Sequence, residues 1–315
     1  ERLTQLSGME QVFFSNSGAE ANEAAIKLAR LYGHKKGIDT PSIIVMENAF
    51  HGRTMATLTA SGSRKVQAGF EPLLPGFVRA PFNDIKALRA IAANSHDIVA
   101  VMLEPIQGEG GVLVADETYL RAVAALCEEQ DWLFILDEVQ TGNGRTGKLF
   151  NFMDVGIHPD VVTTAKGLGN GIPIGACLMR NRACDLFKPG NHGSTFGGNP
   201  LACATALTVL NVIERDKLCE QVTRNSVILR DKLMNELGDN PHVKSIRGKG
   251  YMLGIELDKP ANDIKKLALS NGLLLNVTAE SVVRLLPPLI ISLEEIDELV
   301  NRLVMTINQL NQVMT

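Results

Sequence analysis

One lysine and one aspartate, each at the end of a short apolar run, are the residues of this chain best set to do chemistry. Leu133-Phe134-Ile135-Leu136 has the length and continuous apolar character of one buried strand, and it runs directly into Asp137 and Glu138. Val161-Val162-Thr163-Thr164-Ala165 is a second apolar run, and it delivers Lys166, followed by Gly167, Gly169 and Gly171. A lysine bracketed by small residues has room beside it for a flat ligand.

The same stretch carries two nucleotide-like patterns. Leu133 to Glu138 resembles a Walker B strand, and Gly142 to Lys148 nearly spells a P-loop, but Leu149 stands where a Ser or Thr must hold Mg²⁺. Gly142, Gly144 and Gly147 also fit G-x-G-x-x-G, although no acid follows at the spacing a dinucleotide ribose requires. A nucleotide-binding protein built on Gly142–Lys148 is the alternative from a different class.

Three more polar clusters follow apolar runs. Val12-Phe13-Phe14 leads into Ser15-Asn16-Ser17-Gly18-Ala19-Glu20 and then an amphipathic helix. Small residues at a strand-to-helix turn let N–H groups approach an anion, and the helix dipole adds about half a positive charge. The plainer reading is an N-cap at Asn16 or Ser17, with Glu20 completing a capping box. Ser42 to Met46 leads to Phe50, His51 and Arg53, a ring and a guanidinium suited to a flat ligand and a carboxylate. A core Phe and a surface-paired Arg are the alternative, and His51 reads as a turn histidine making local hydrogen bonds. Ile98 to Leu103 stops on Glu104, and Pro105 to Gly111, with Glu109, is too glycine-rich for a helix and reads as a loop.

These clusters need a scaffold that gathers strand ends. Continuously apolar strands alternating with helices imply an α/β fold with a mostly parallel central sheet covered by helices on both faces, whose carboxyl edge forms the ligand crevice. Ile174 to Met179 is a further strand, and His192 to Pro200 is a polar loop before a long helix. From Asp216 the pattern changes to a helix, short strands near 243–246, 251–257, 273–276 and 282–286, and an amphipathic helix from Leu293. Residues 1–210 therefore read as a large domain and 211–315 as a smaller α+β domain.

Composition narrows the partners. The chain has 315 residues and a net charge of −4, with basic residues scattered and no aromatic interleaving, which argues against nucleic acid. No apolar run reaches the length of a membrane span and no signal peptide opens the chain. The five cysteines have no C-x-x-C spacing and read as buried thiols in a reducing cytoplasm, without a metal site. The absence of an initiator Met, with Leu3 and Leu6 patterned like a helix end, suggests a beginning upstream of Glu1.

Together, residues 15–30, 49–54, 104–111, 136–147, 165–169 and 192–200 match, in order and at similar spacing, the motifs of the class III aminotransferases. The chain resembles this pyridoxal-phosphate family of fold type I over nearly its whole length. The resemblance implies that Lys166 bonds covalently to the cofactor aldehyde and then moves the substrate proton. It implies that Asp137 sits against the pyridine nitrogen, where an opposite charge shifts a pKa by roughly 1–3 units. It gives Gln140 to the phenolic oxygen, Val139 and Phe50 to the two ring faces, and Ser17, Gly18 and Ala19 to the phosphate. Ser194 and Thr195 would reach the phosphate of a neighbouring subunit, which implies a homodimer with shared sites.

For substrates, the resemblance gives Arg53 to a distal carboxylate and Arg284 to the α-carboxylate of glutamate or 2-oxoglutarate. Glu109 would pair with Arg284 while the amine donor is bound, since a buried unpaired charge costs several kcal/mol. The implied reaction moves the terminal amino group of N-acetyl-L-ornithine to 2-oxoglutarate, with succinylornithine, succinyl-diaminopimelate and ornithine as alternative donors.

Overall fold

The protein is described here by a computed structural model covering residues 1–313. In chain order the strands are β1 Gln11–Ser15, β2 Ser42–Met46, β3 Phe77–Ala80, β4 Ile98–Leu103, β5 Ile106–Gln107, β6 Leu113–Val114 and β7 Leu133–Asp137. They continue with β8 Val161–Thr164, β9 Gly175–Met179, β10 Val243–Lys249, β11 Met252–Leu257, β12 Asn276–Thr278 and β13 Val282–Leu285. Two compact units emerge. The first comprises Glu1–Pro105, Ala115–Asn143 and Leu149–Ile213, and the second comprises Ile106–Val114, Gly144–Lys148 and the chain from Glu214 onward.

A seven-stranded sheet in the order β1-β9-β8-β7-β4-β2-β3 organises the first unit. Four adjacent pairs run parallel, whereas β9 is antiparallel to both its neighbours, so the sheet is mostly parallel, as expected. Every residue of β2, β4, β7, β8 and β9 is buried, which requires cover on both faces. Side chains alternate between two cores. Leu133, Ile135, Ala100 and Met102 join one, with the alanine-rich stripe of the helix Gly18–Lys35, while Phe134, Leu136, Val101 and Leu103 join the other, with Leu120, Val123 and Leu126 of the helix Glu117–Glu129. Small side chains at Ala21, Ala24, Ala25 and Ala29 let the first helix lie close against β8 and β9.

The second unit has an antiparallel sheet, β10-β11-β13-β12, whose core gathers Leu229, Leu233, Ile255, Val283, Leu303 and Ile307.

Three elements depart from the sequence reading. β3 was not anticipated, because at the sheet edge it is only partly covered and carries the exposed Arg79, so no continuous apolar run announces it. The segment expected as a plain loop after Glu104 contains the paired strands β5 and β6 on either side of Gly108, Gly110 and Gly111. The strand expected at Leu273–Asn276 lies instead at Asn276–Thr278. Leu273 is engaged elsewhere. Its N–H donates to Ala268 O at 2.8 Å beside the left-handed Gly272, closing the preceding helix and moving the strand's start along the chain.

Candidate active site

Parallel pairing sets Asp137 of β7 opposite Thr163 of β8, so the aspartate and the lysine that follows β8 emerge on the same sheet edge. There a cavity of about 420 Å³ opens, lined by Ser17, Gly18, Ala19, Phe50, Asp137, Val139, Gln140 and Lys166. Residues far apart in sequence thus converge at the carboxyl ends of the strands, where an open α/β sheet binds its ligand. Ser194 and Thr195 lie outside this cavity. They line a second one of about 540 Å³, with Asn16, Lys27 and His192. Arg53 is exposed and lines neither.

The Asp137 carboxylate is 4% exposed and held by three donors. Asn22 Nδ2 at 2.7 Å and His51 Nδ1 at 2.8 Å both donate to Oδ2, and the Val139 N–H donates to Oδ1 at 3.0 Å. Asn22 is itself fixed, since Thr163 Oγ1 donates to its Oδ1 at 2.6 Å. Close by, Glu104 Oε2 accepts the Phe50 N–H at 2.9 Å. Burial pushes the Glu104 carboxyl up to about 7, Asp137 adds to the rise, and His51, the Phe50 N–H and Lys166 oppose it. For His51, burial works against the charged ring, but the hydrogen bond and charge of Asp137, with the charge of Glu104, outweigh it and raise the imidazole above its ordinary value.

The Ser15–Glu20 turn serves both readings of its sequence. Ser17 is the N-cap of the helix Gly18–Lys35, its Oγ accepting the Glu20 N–H at 3.2 Å, and Glu20 Oε2 accepts the Asn16 N–H at 2.9 Å. The first-turn N–H groups of Gly18 and Ala19 have no acceptor within the helix, and both residues line the cavity. Glycine is required at position 18 because a Cβ there would stand 2.6 Å from Val139 Cγ1. The turn is therefore a cap and a backbone anion cradle at once.

Lys166 lines the same cavity with φ of +44°, left-handed for a non-glycine residue and the kind of local strain that clusters at reactive positions. The backbone before it is braced by Asn143, whose Nδ2 donates to Thr164 Oγ1 at 2.9 Å and to Ala165 O at 3.1 Å. That brace is one use of the segment that mimics a P-loop. Another is Arg145, whose Nη1 donates to the carbonyls of Tyr251 and Pro287. No residue from Gly142 to Lys148 lines the cavity.

In the second unit, Arg284 on β13 is 6% exposed and its Nη1 donates to Glu109 Oε1 at 2.7 Å. The acid is 44% exposed at its side chain, and its carbonyl accepts from Thr278 Oγ1. A buried guanidinium thus meets an acid with room to leave.

Sequence reasoning missed Asn22, His51 and Glu104 as members of the cleft. The legible signal for Asn22 was a lone polar residue four positions after Gly18 on an otherwise alanine-lined helix face. His51 was set aside as a turn residue, whereas the structure buries it completely against Asp137. Among the described residues no cluster of three or more His, Cys, Asp or Glu could hold a metal, and no helix is long and apolar enough to cross a membrane.

Comparison with known proteins agrees with this geometry. The family model "Aminotransferase class-III" matches residues 1–307. The acetylornithine aminotransferase of Nitrosomonas europaea is 55% identical over 304 residues, covering 95% of this chain and 76% of that protein. Among solved structures, the ornithine aminotransferase of Toxoplasma gondii crystallized with oxidized glutathione, in which PLP partly occupies the active site, superposes with a TM-score of 0.93 at 37% identity, covering 96% of this chain and 74% of that one. N-acetylornithine aminotransferase from Stenotrophomonas maltophilia superposes with a TM-score of 0.84 at 37% identity, covering 99% and 78%. The chain belongs to the class III aminotransferases, which act on amino acids and 2-oxo acids with pyridoxal 5′-phosphate as cofactor. The residues present fit that group. A buried carboxylate stands at one side of the cavity, first-turn N–H groups without helical acceptors at another, and a lysine lines the same space.

Proposed function

We propose that this class III aminotransferase transfers the terminal amino group of N-acetyl-L-ornithine to 2-oxoglutarate, yielding N-acetyl-L-glutamate 5-semialdehyde and L-glutamate, a step of arginine biosynthesis. The observation carrying this choice of donor is the 55% identity over 95% of the chain to a protein named for that substrate.

Pyridoxal phosphate, when bound, supplies an aldehyde that carries the amino group between substrates and a ring that accepts electrons as a C–H bond breaks. In our reading Lys166 Nζ holds the cofactor and then takes the proton from the amine-bearing carbon and returns it, as general base and acid. Asp137 would accept a hydrogen bond from the pyridine nitrogen and keep it protonated. Val139 and Phe50 would hold the ring, Gln140 would donate to its phenolic oxygen, and Ser17, Gly18 and Ala19 would hold the phosphate. Ser194 and Thr195 would act across a homodimer interface on the partner's phosphate, a reading supported by their place outside the cavity that holds Lys166.

Two substrates must alternate. Arg53 binds the distal carboxylate, and Arg284 binds the α-carboxylate of glutamate or 2-oxoglutarate once Glu109 has moved aside. With the amine donor bound, Glu109 stays on Arg284, which spares the molecule an unpaired buried charge. On this reading residues 1–210 form the cofactor-binding domain, 211–315 the smaller domain carrying Arg284, and the enzyme is cytoplasmic. Steady-state kcat/KM with N-acetylornithine, succinylornithine, succinyl-diaminopimelate and ornithine, each with 2-oxoglutarate, tests the donor. A preference for free ornithine refutes the assignment.

A further inference from the structure

The cleft contains two buried titratable side chains that the mechanism above does not use, His51 and Glu104. His51 follows β2, has no exposed side-chain surface, and donates through Nδ1 to Asp137 Oδ2. Its backbone is pinned at both ends, the N–H donating to Ser61 Oγ at 2.9 Å and the carbonyl accepting from Asn22 Nδ2 at 2.8 Å. That same Asn22 nitrogen donates to Asp137, so Asn22, His51 and Asp137 close a triangle of hydrogen bonds. Both acceptor directions of Oδ2 are occupied. Oδ1 takes the Val139 N–H and keeps a lone pair for whatever enters the cavity.

Only an Nδ1-protonated imidazole can make this bond. The other nitrogen, Nε2, is buried and makes no hydrogen bond among the described residues, so the bond to Asp137 alone sets the tautomer. The charged groups acting on the ring are Asp137 at the end of β7, Glu104 at the end of β4 and Arg79 on β3. Burial and Arg79 oppose the charged ring, while Asp137 and Glu104 favour it and raise the imidazole above its ordinary value.

We propose that His51 is a positioning residue: its Nδ1–H fixes the rotation of the Asp137 carboxylate so that Oδ1 faces the cavity. The inference rests on the reading that Asp137 partners the cofactor's ring nitrogen. Asn22 fixes the carboxylate from the opposite side but cannot titrate. His51 therefore makes the hold on the carboxylate sensitive to pH, which Asn22 does not.

The test has two arms. In cofactor-free wild-type protein, ¹⁵N-histidine NMR, with His51→Asn used to assign the resonance, is expected to show a titration midpoint above that of an ordinary imidazole and, at pH values above that midpoint, the Nδ1–H tautomer of the neutral ring. An Nε2–H tautomer overturns the proposal. In the second arm, pyridoxal phosphate is titrated into cofactor-free proteins. His51→Leu is expected to weaken binding by roughly ten- to a hundredfold, the loss of a hydrogen bond to a charged group. His51→Asn, which restores a donor near the Nδ1 position but cannot titrate, is expected to recover most of that affinity and to lose the pH dependence contributed by the imidazole. Wild-type affinity in His51→Leu, or His51→Asn binding no better than His51→Leu, overturns the proposal. Failure of the wild-type protein to bind pyridoxal phosphate would refute the cofactor reading instead, and the NMR arm would still decide the state of His51.

Discussion

Asp137 and Glu138 are neighbours in the chain and equally hidden, at 4% and 0% exposure, yet they serve opposite sides of one sheet edge. Asp137 faces the cavity and is held largely by other side chains, Asn22 and His51, drawn from distant segments. Glu138 faces away. It accepts from Thr141 Oγ1 at 2.7 Å and from the N–H groups of Asn151 and Phe152 at 2.8 and 2.9 Å, so it ties together the loop that follows it. Burial of an acid therefore does not mark a reactive group. The origin of its donors does: a carboxylate consumed by its own loop is structural, and one held by converging side chains beside open space is available to a ligand.

Substitutions can break or sharpen this contrast. The largest effect is expected from Lys166→Ala on the cavity side, a folded protein whose turnover falls by about 10⁴-fold or more in a coupled glutamate assay. Retained transamination would remove the lysine from the mechanism. Asp137→Asn is expected to lower kcat by about 10²–10³-fold, with a slowed proton-transfer step visible as a larger isotope effect from deuterium on the reacting carbon. An unchanged rate would make Asp137 no more catalytic than Glu138.

Glu104 offers a pH-dependent test on the cavity side. Its carboxyl is raised to about 7 by burial, so between the ordinary value of 4.5 and 7 the folded protein binds more protons than the unfolded chain. Stability contributed by this group is full below 4.5 and declines as pH rises to about 7, by up to roughly 3 kcal/mol. Glu138, which burial also raises to about 7, contributes a slope in the same window, so Glu104→Gln is expected to reduce the slope of chemical unfolding curves and to leave the Glu138 share, and an unchanged slope would show that Glu104 contributes none of it.

On the structural side, Glu138→Gln is expected to cost about 2 kcal/mol of unfolding free energy, because an amide nitrogen must face N–H donors, while kcat changes little. A large loss of kcat at full stability would erase the distinction between the two acids. The smallest effect is expected from Glu109→Gln. This acid is partly exposed, so loss of its charge is expected to be worth about 1 kcal/mol, a roughly fivefold fall in kcat/KM for the amine donor with little change for glutamate. Equal effects on both substrates would argue against a switching role.

Much of this was legible in the sequence. Continuously apolar runs revealed strands buried on both faces, and the polar clusters after them pointed to one edge of the sheet. The eight residues read as surrounding the cofactor within one chain, Ser17, Gly18, Ala19, Phe50, Asp137, Val139, Gln140 and Lys166, share a cavity. β3 was hidden because an edge strand needs no unbroken apolar pattern, and the start of β12 was displaced by a helix cap whose geometry depends on Gly272 being left-handed.

What the sequence alone determined were local matters: which runs form strands, where turns lie, and which residue types stand at their ends. Periodicity and turn chemistry act over a few residues and leave their mark in the chain itself. Only the tertiary structure decided which of two adjacent acids meets the cavity, because facing depends on the pleat of β7 relative to its neighbours. It alone joined Asp137 to Asn22 and His51, 115 and 86 residues away. Such contacts arise from packing a helix and a turn against one sheet edge, and no local pattern encodes them.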